Sequence, residues 1–190
     1  MIETLNDKSP EPEKMLSISI PPSASYNIGG GPLQIILKDD DAPPGGSGTG
    51  LKAEYFAKPD FTEPVTSQVD AQIDFKWDKK APIAKVQPDK YSIRWSGKIE
   101  PLYSDTFTFT TPGTPYGTAK LIIDGKTVIA AKAGKSVSRS GTIALKAGKK
   151  YDIVLEYTNA RDYGSFIRLI WSNPKQFEQA VPKSQLFPSP

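Results

Sequence analysis

KLIIDGKTVIA (residues 120–130), AGKKYDIVLEY (147–157) and TNARDYG (158–164) are the stretches that decide the fold. In the first, two short apolar runs are joined by Asp124-Gly125. Asp and Gly tolerate the positive φ of a type I′ turn, so this dipeptide predicts a two-residue β-hairpin. In the second, Asp152 and Glu156 alternate with apolar neighbours, as on a strand with one dry and one wet face. The third is polar and turn-rich, and it leads into another apolar run, FIRLIW (166–171).

Outward from these phrases the same grammar repeats. GLKAEYF (50–56) alternates, FKW (75–77) is a short apolar-flanked segment, and TFTFT (106–110) and SGTIAL (140–145) follow the pattern. YSIRWSGKIE (91–100) is the clearest strand, with Ile93, Trp95, Gly97 and Ile99 on one face and Ser92, Arg94, Ser96 and Lys98 on the other. Eight or nine short strands separated by frequent turns predict an all-β domain, an antiparallel β-sandwich or jelly-roll-like barrel. No segment keeps a helical period, although PKQFEQAV (174–181) is read as a single helical turn. With 15 glycines and 18 prolines among 190 residues, the composition also favours turns over helices.

The chain has neither cysteine nor histidine. Disulfides, thiolate or imidazole metal sites, cysteine nucleophiles and serine–histidine triads are therefore excluded. The 24 basic and 21 acidic residues nearly cancel and are scattered, which gives no footprint for nucleic acid. No apolar run approaches the ~20 residues that cross a bilayer, so membrane insertion is not expected. The start, MIETLNDKSPEPEK, does not read as a signal peptide, so an exported parent protein would contain this chain as a piece.

Composition shifts at DDDAPPGGSGTG (39–50), an acidic run followed by a Pro pair and a Gly/Ser tract. Three parts follow: a short β fragment over 1–42, a flexible linker over 43–49, and the β-sandwich domain over 50–188. In the fragment, MLSISI and LQIILK predict two strands, too few to enclose a core.

The ordered phrases of residues 50–188 resemble the PA-fourteen family, a β-sandwich module first described in a toxin protective antigen. The resemblance is carried by Gly50, Leu51, Ala53, Tyr55 and Phe56, then by Ile93–Ile99, Tyr103–Phe109, Ile123-Asp124-Gly125 and Ala147–Tyr157. It implies a carbohydrate-binding or adhesion module of a secreted or cell-surface multidomain protein, not an enzyme. The family's calcium-dependent lectins carry an Asp-Asp pair shortly before the Ile-Asp-Gly phrase, which would fall near Tyr116-Gly117. TTPGTPYGTAK (110–120) contains no carboxylate. The second lectin loop resembles Thr158–Gly164, and the resemblance places a ligating Asn on Asn159 and an aromatic residue near the sugar on Tyr163. The N-terminal fragment resembles the last part of a Calx-beta domain, with Glu11, Glu13 and Asp39, Asp40 and Asp41 on its acidic calcium-binding positions. Calcium is thus a candidate ion, with Asp39–Asp41 as its ligands or else as a solvated acidic linker.

The expected ligand site is Asn159, Asp162 and Tyr163, with Tyr116 opposite. Asn159 offers a donor and an acceptor, Asp162 accepts two hydroxyls, and Tyr163 offers a flat apolar face to a sugar ring. The competing reading is that Asn159 and Asp162 bond their own backbone in a turn. Trp77, Trp95 and Trp171 are expected in the core, and the lysines at 132–135 read as solubilising turn residues. A glycan or cell-surface polysaccharide and the neighbouring domains of the parent are the expected partners. The alternatives are a structural spacer in a large surface adhesin, or an accessory domain of an extracellular glycoside-active enzyme.

Overall fold

The computed structural model describes residues 14–18, 33–37, 46–113, 117–132, 137–160 and 164–190. The chain forms two compact units, Met1–Pro44 and Gly45–Pro190. In the first, β1 (Lys14–Ile18) and β2 (Leu33–Leu37) pair antiparallel, with Leu16 opposite Ile35. Both expected strands of the fragment are there.

The second unit is an antiparallel β-sandwich. Its strands are β3 (Leu51–Phe56), β4 (Pro64–Asp70), β5 (Asp74–Asp78), β6 (Tyr91–Ile99), β7 (Asp105–Thr111), β8 (Gly117–Ile123) and β9 (Lys126–Ile129). They continue as β10 (Arg139–Leu145), β11 (Tyr151–Asn159), β12 (Ser165–Arg168), β13 (Ile170–Asn173), β14 (Gln176–Ala180) and β15 (Leu186–Pro188). One sheet runs β4-β3-β6-β11-β8-β9, with β15 prolonging the β3 edge along β6, and the facing sheet runs β10-β7-β13-β14. β5 and β12 form a separate pair.

Alternation builds the core. On β6, Ile93, Trp95 and Ile99 are fully buried, and Ile153, Leu155 and Tyr157 of the neighbouring β11 lie on the same inner face. Phe107 and Phe109 of β7 meet them from the other sheet together with Trp171, whose ring centroid lies 5.0 Å from that of Phe107. Phe75 and Trp77 of β5 stack at 5.1 Å, and Phe75 continues the stack onto Trp95. All three tryptophans are therefore core or core-packed, as their strand positions predict. Rings of this size dominate core energetics, and deleting one costs ~3–5 kcal/mol.

Four details depart from the sequence reading. Residues 176–180 form a strand, because the β13–β14 hairpin pairs Ile170 with Ala180, so the expected helical turn is absent. FIRLIW divides into β12 and β13 at Leu169, whose N–H donates to Ile73 O at 2.9 Å. β4 is an exposed, polar edge strand that shows no apolar alternation to reveal it. The tract expected as a tether joins the fold at its C-terminal end. Gly48 N–H donates to Ser184 O and Gly50 N–H to Leu186 O, both at 3.0 Å, which brings the two ends of the sandwich together.

Candidate functional site

Strand register collects one set of connections at one end of the sandwich. Asn159 at the end of β11 faces Tyr91 at the start of β6 and Gly117 at the start of β8. Phe56 at the end of β3 faces Ser92, and Thr111 at the end of β7 faces Arg139 at the start of β10. The strand ends Phe56 and Pro64, Asp78 and Tyr91, Thr111 and Gly117, and Asn159 and Ser165, together with Arg139 at the start of β10, all lie at this end. Binding residues concentrate in loops between such strand ends because the strands beneath hold their ends rigid.

The backbone is strained at the same end. Among the described residues, six non-glycine residues have positive φ, and Phe61, Glu63, Asp78, Lys85 and Lys90 belong to this end. The sixth, Asp124 (φ 51°), sits with Gly125 (φ 76°) in the expected type I′ turn of the opposite end. Left-handed backbone in non-glycine residues costs of order 1 kcal/mol each and clusters at functional sites. At Phe61 it is held by side chains. Ser92 Oγ accepts from Phe61 N–H at 3.1 Å and donates to Lys58 O at 2.6 Å, and the Arg94 guanidinium lies 4.8 Å from the Phe61 ring.

Asn159 is buried, and its Nδ2 donates to Pro88 O at 3.2 Å. It thus ties the end of β11 to the connection 79–90. Beside it, Tyr91 Oη donates to Ser165 Oγ at 2.9 Å, and the hydroxyls of Thr118 and Thr158 bond at 2.7 Å. Burial pushes the Tyr91 phenol up to about 12, against the opposing effect of its hydrogen bonds with Ser165, Tyr157 and Asn159. Tyr116, Asp162 and Tyr163 lie outside the described residues, as do Asp39, Asp40 and Asp41. The register does place the residue after Tyr116 opposite Asn159, so the two expected loops start side by side. Among the described residues there is no cluster of three or more His, Cys, Asp or Glu side chains that would hold a metal ion.

The structure adds a feature that the sequence reading overlooked. A shallow open cleft of about 20 Å³ lies between the 111–113 segment, the start of β8 and residues 137–139 at the start of β10. Buried Ile167 lies beneath it, and Lys132, Val137 and Arg139 are among the residues lining it. Gly113 packs so closely on Val137 that an added Cβ would fall 2.2 Å from the Val137 nitrogen, so only glycine fits there. Arg139 Nη2 donates to Lys132 O at 3.3 Å, which fixes the guanidinium beside the lysine backbone. A usable signal was the length of the β9–β10 connection, nine residues where a hairpin needs two to five.

Comparison with known proteins agrees with this architecture. The anti-sigma-I factor RsgI3 of Acetivibrio thermocellus is 41% identical over 145 residues, which is 76% of this chain and 22% of that protein. The chain therefore spans about a fifth of that relative's length. A solved anti-sigma factor domain-containing protein from Clostridium clariflavum matches with 39% identity and a TM-score of 0.69, over 74% of this chain and 47% of that one. The epithelial adhesin 6 A domain of Candida glabrata, solved with Galβ1-3GlcNAc, is similar in fold at 13% identity and a TM-score of 0.56, covering 76% of this chain and 91% of that one. Residues 47–185 match the model of the PA14 domain, and the chain belongs to that family.

Proposed function

We propose that the sandwich is a non-catalytic carbohydrate-binding module, with its ligand at the loop end that Asn159, Tyr116, Asp162 and Tyr163 share with the cleft. The observation that carries this reading is convergence: the strand ends that bound the connections, five of the six strained non-glycine residues among the described ones, and the cleft all meet at one end of a rigid double sheet. A site whose loops are anchored on paired strand ends loses less entropy on binding, which weakly binding sugars require. Asn159 enters as the residue that braces the 79–90 connection, so its effect on the ligand passes through the loop it holds. The likeness to anti-sigma factors favours a further step. In a larger regulatory protein of that type, this module would be the part that meets a polysaccharide outside the cell or at its surface. That placement sets it apart from a purely mechanical spacer in an adhesin.

The test is a glycan array probed with the full chain, with calcium and with chelator. The expected result is binding to a restricted set of plant- or cell-surface glycans, lost in Asn159→Ala while the thermal transition persists. No binding to any glycan, by the array or by pull-down on insoluble polysaccharides, would leave the spacer reading in its place.

A further inference from the structure

We propose that the cleft selects an anionic sugar, with the carboxylate of a hexuronic acid seated against Arg139 and Lys132; this rests on the carbohydrate-binding reading above. Two cations meet at the cleft, and the described residues lining it include no carboxylate. Neither Arg139 nor Lys132 forms an ion pair among the described residues, whereas Arg94, Lys98 and Arg168 each face a carboxylate at 2.7–2.9 Å. The Arg139 guanidinium spends one Nη2 hydrogen on Lys132 O and faces no carboxylate among the described residues, which leaves its other donors for a planar carboxylate bound through two parallel hydrogen bonds.

The surfaces around the mouth of the cleft suit the rest of such a ligand, which would lie across it. Val137 is an exposed apolar side chain, at 54% of its accessible surface, and stands next to the two cations. Together with Ala119 it offers a small apolar surface to the C–H side of a sugar ring. The walls are held in place: Ser138 Oγ donates to Thr111 O at 3.5 Å, Thr111 pairs with Arg139 across β7 and β10, and Gly113 packs on Val137. The adjoining connection 79–90 adds Lys79, Lys80, Lys85 and Lys90 against a single acid, Asp89, so the approach to this end is also cationic. A polymer with one negative charge per sugar would gain at both places, whereas a neutral glycan would gain at neither.

The experiment compares a hexuronic acid homopolymer with the same polymer after methyl esterification, which removes the charge and keeps the sugar. Binding to the full chain is measured by affinity electrophoresis and by calorimetry with the corresponding oligomers. The expected result is at least tenfold weaker binding to the esterified polymer. Arg139→Gln should lose about tenfold on the acid form, with a further loss in Arg139→Gln/Lys132→Gln, and raising NaCl from 50 to 500 mM should weaken the wild type more than the double variant. Lys132 is exposed and Arg139 half-buried, and an unchanged thermal transition verifies the fold of each variant. Equal binding to the two polymers, or an unaffected double variant, would overturn the anionic preference. Binding to neutral glycans alone would also overturn it while leaving the broader carbohydrate reading in place. Failure to bind any glycan would sink both.

Discussion

Replacing Asp70 by alanine should destabilise the sandwich more than any other single change to a polar side chain among the described residues. Asp70 is 5% exposed at the end of β4. Its Oδ2 accepts from Tyr55 Oη at 2.7 Å and from Trp95 Nε1 at 2.8 Å, while Oδ1 accepts from Gln68 Nε2 at 2.7 Å. Tyr55 and Trp95 are themselves buried, so Asp70→Ala leaves two donors with neither partner nor water. Each orphaned buried donor costs about 1–3 kcal/mol, which gives roughly 2–5 kcal/mol for the pair. For a domain of this size, ~1 kcal/mol moves the midpoint by about 2–4 °C, so a drop of roughly 5–15 °C is expected. Asp70→Asn keeps one oxygen for Tyr55 and Trp95, and Gln68 can turn its amide to accept from the new one. It should lose only about half as much. Thermal and urea unfolding of the full chain, followed by near-ultraviolet circular dichroism, measures both. A loss below ~1 kcal/mol in Asp70→Ala would refute the idea that this carboxylate is what satisfies the buried indole and phenol.

Three further outcomes follow from the same structure. Tyr55 and Tyr91 are both held above the ordinary tyrosine value of 10.0, Tyr55 by burial and then by its bond to Asp70, Tyr91 by burial. Their stabilisation is therefore complete below pH 10 and is lost as pH climbs toward about 12 for Tyr91 and beyond that for Tyr55. The slope is about 1.4 kcal/mol per pH unit for each phenol, and Tyr91→Phe should flatten it; an identical alkaline profile in that variant would contradict the assignment. Calorimetry should detect no tight calcium uptake that depends on residues 111–118, because that segment carries no carboxylate; uptake that vanishes when the segment is replaced would show otherwise. Residues 46–190 expressed alone should unfold cooperatively, whereas cutting at residue 50 should cost stability by removing the Gly48–Ser184 bond. A 46–190 fragment without a transition would mean that the first unit is needed for folding.

Much of the fold could be read from residue alternation because burial on one face leaves a period of two. Ile93, Trp95, Ile99 and their counterparts on β11 are buried as that period requires. The period fails where a polar side chain is buried by its partners. Ser92, expected on the wet face, is fully buried because it staples the 57–63 connection. It fails again at edges: β4 and β14 carry mostly exposed polar residues, so nothing in their composition demands a strand. The site was legible only in part. The phrase at 158–164 led to Asn159, yet the bond from Asn159 to Pro88 links residues 71 positions apart, which no local pattern encodes. The cleft joins residues from β7, β8, β10 and β12 and from the connections between them, so its two cations looked like ordinary turn lysines and strand ends until the strands were paired.

The central claim, that ligand binds at the loop end, is tested most directly by amide chemical-shift mapping of the full chain. The titrant is an oligosaccharide drawn from the array's strongest glycan. Shifts are expected only at Gly113, Gly117, Arg139, Asn159 and their neighbours, with Gly125 and Gly148 at the opposite end unmoved. Shifts centred on the Asp124-Gly125 or Ala147-Gly148 turns, or on the outer face of either sheet, would contradict it.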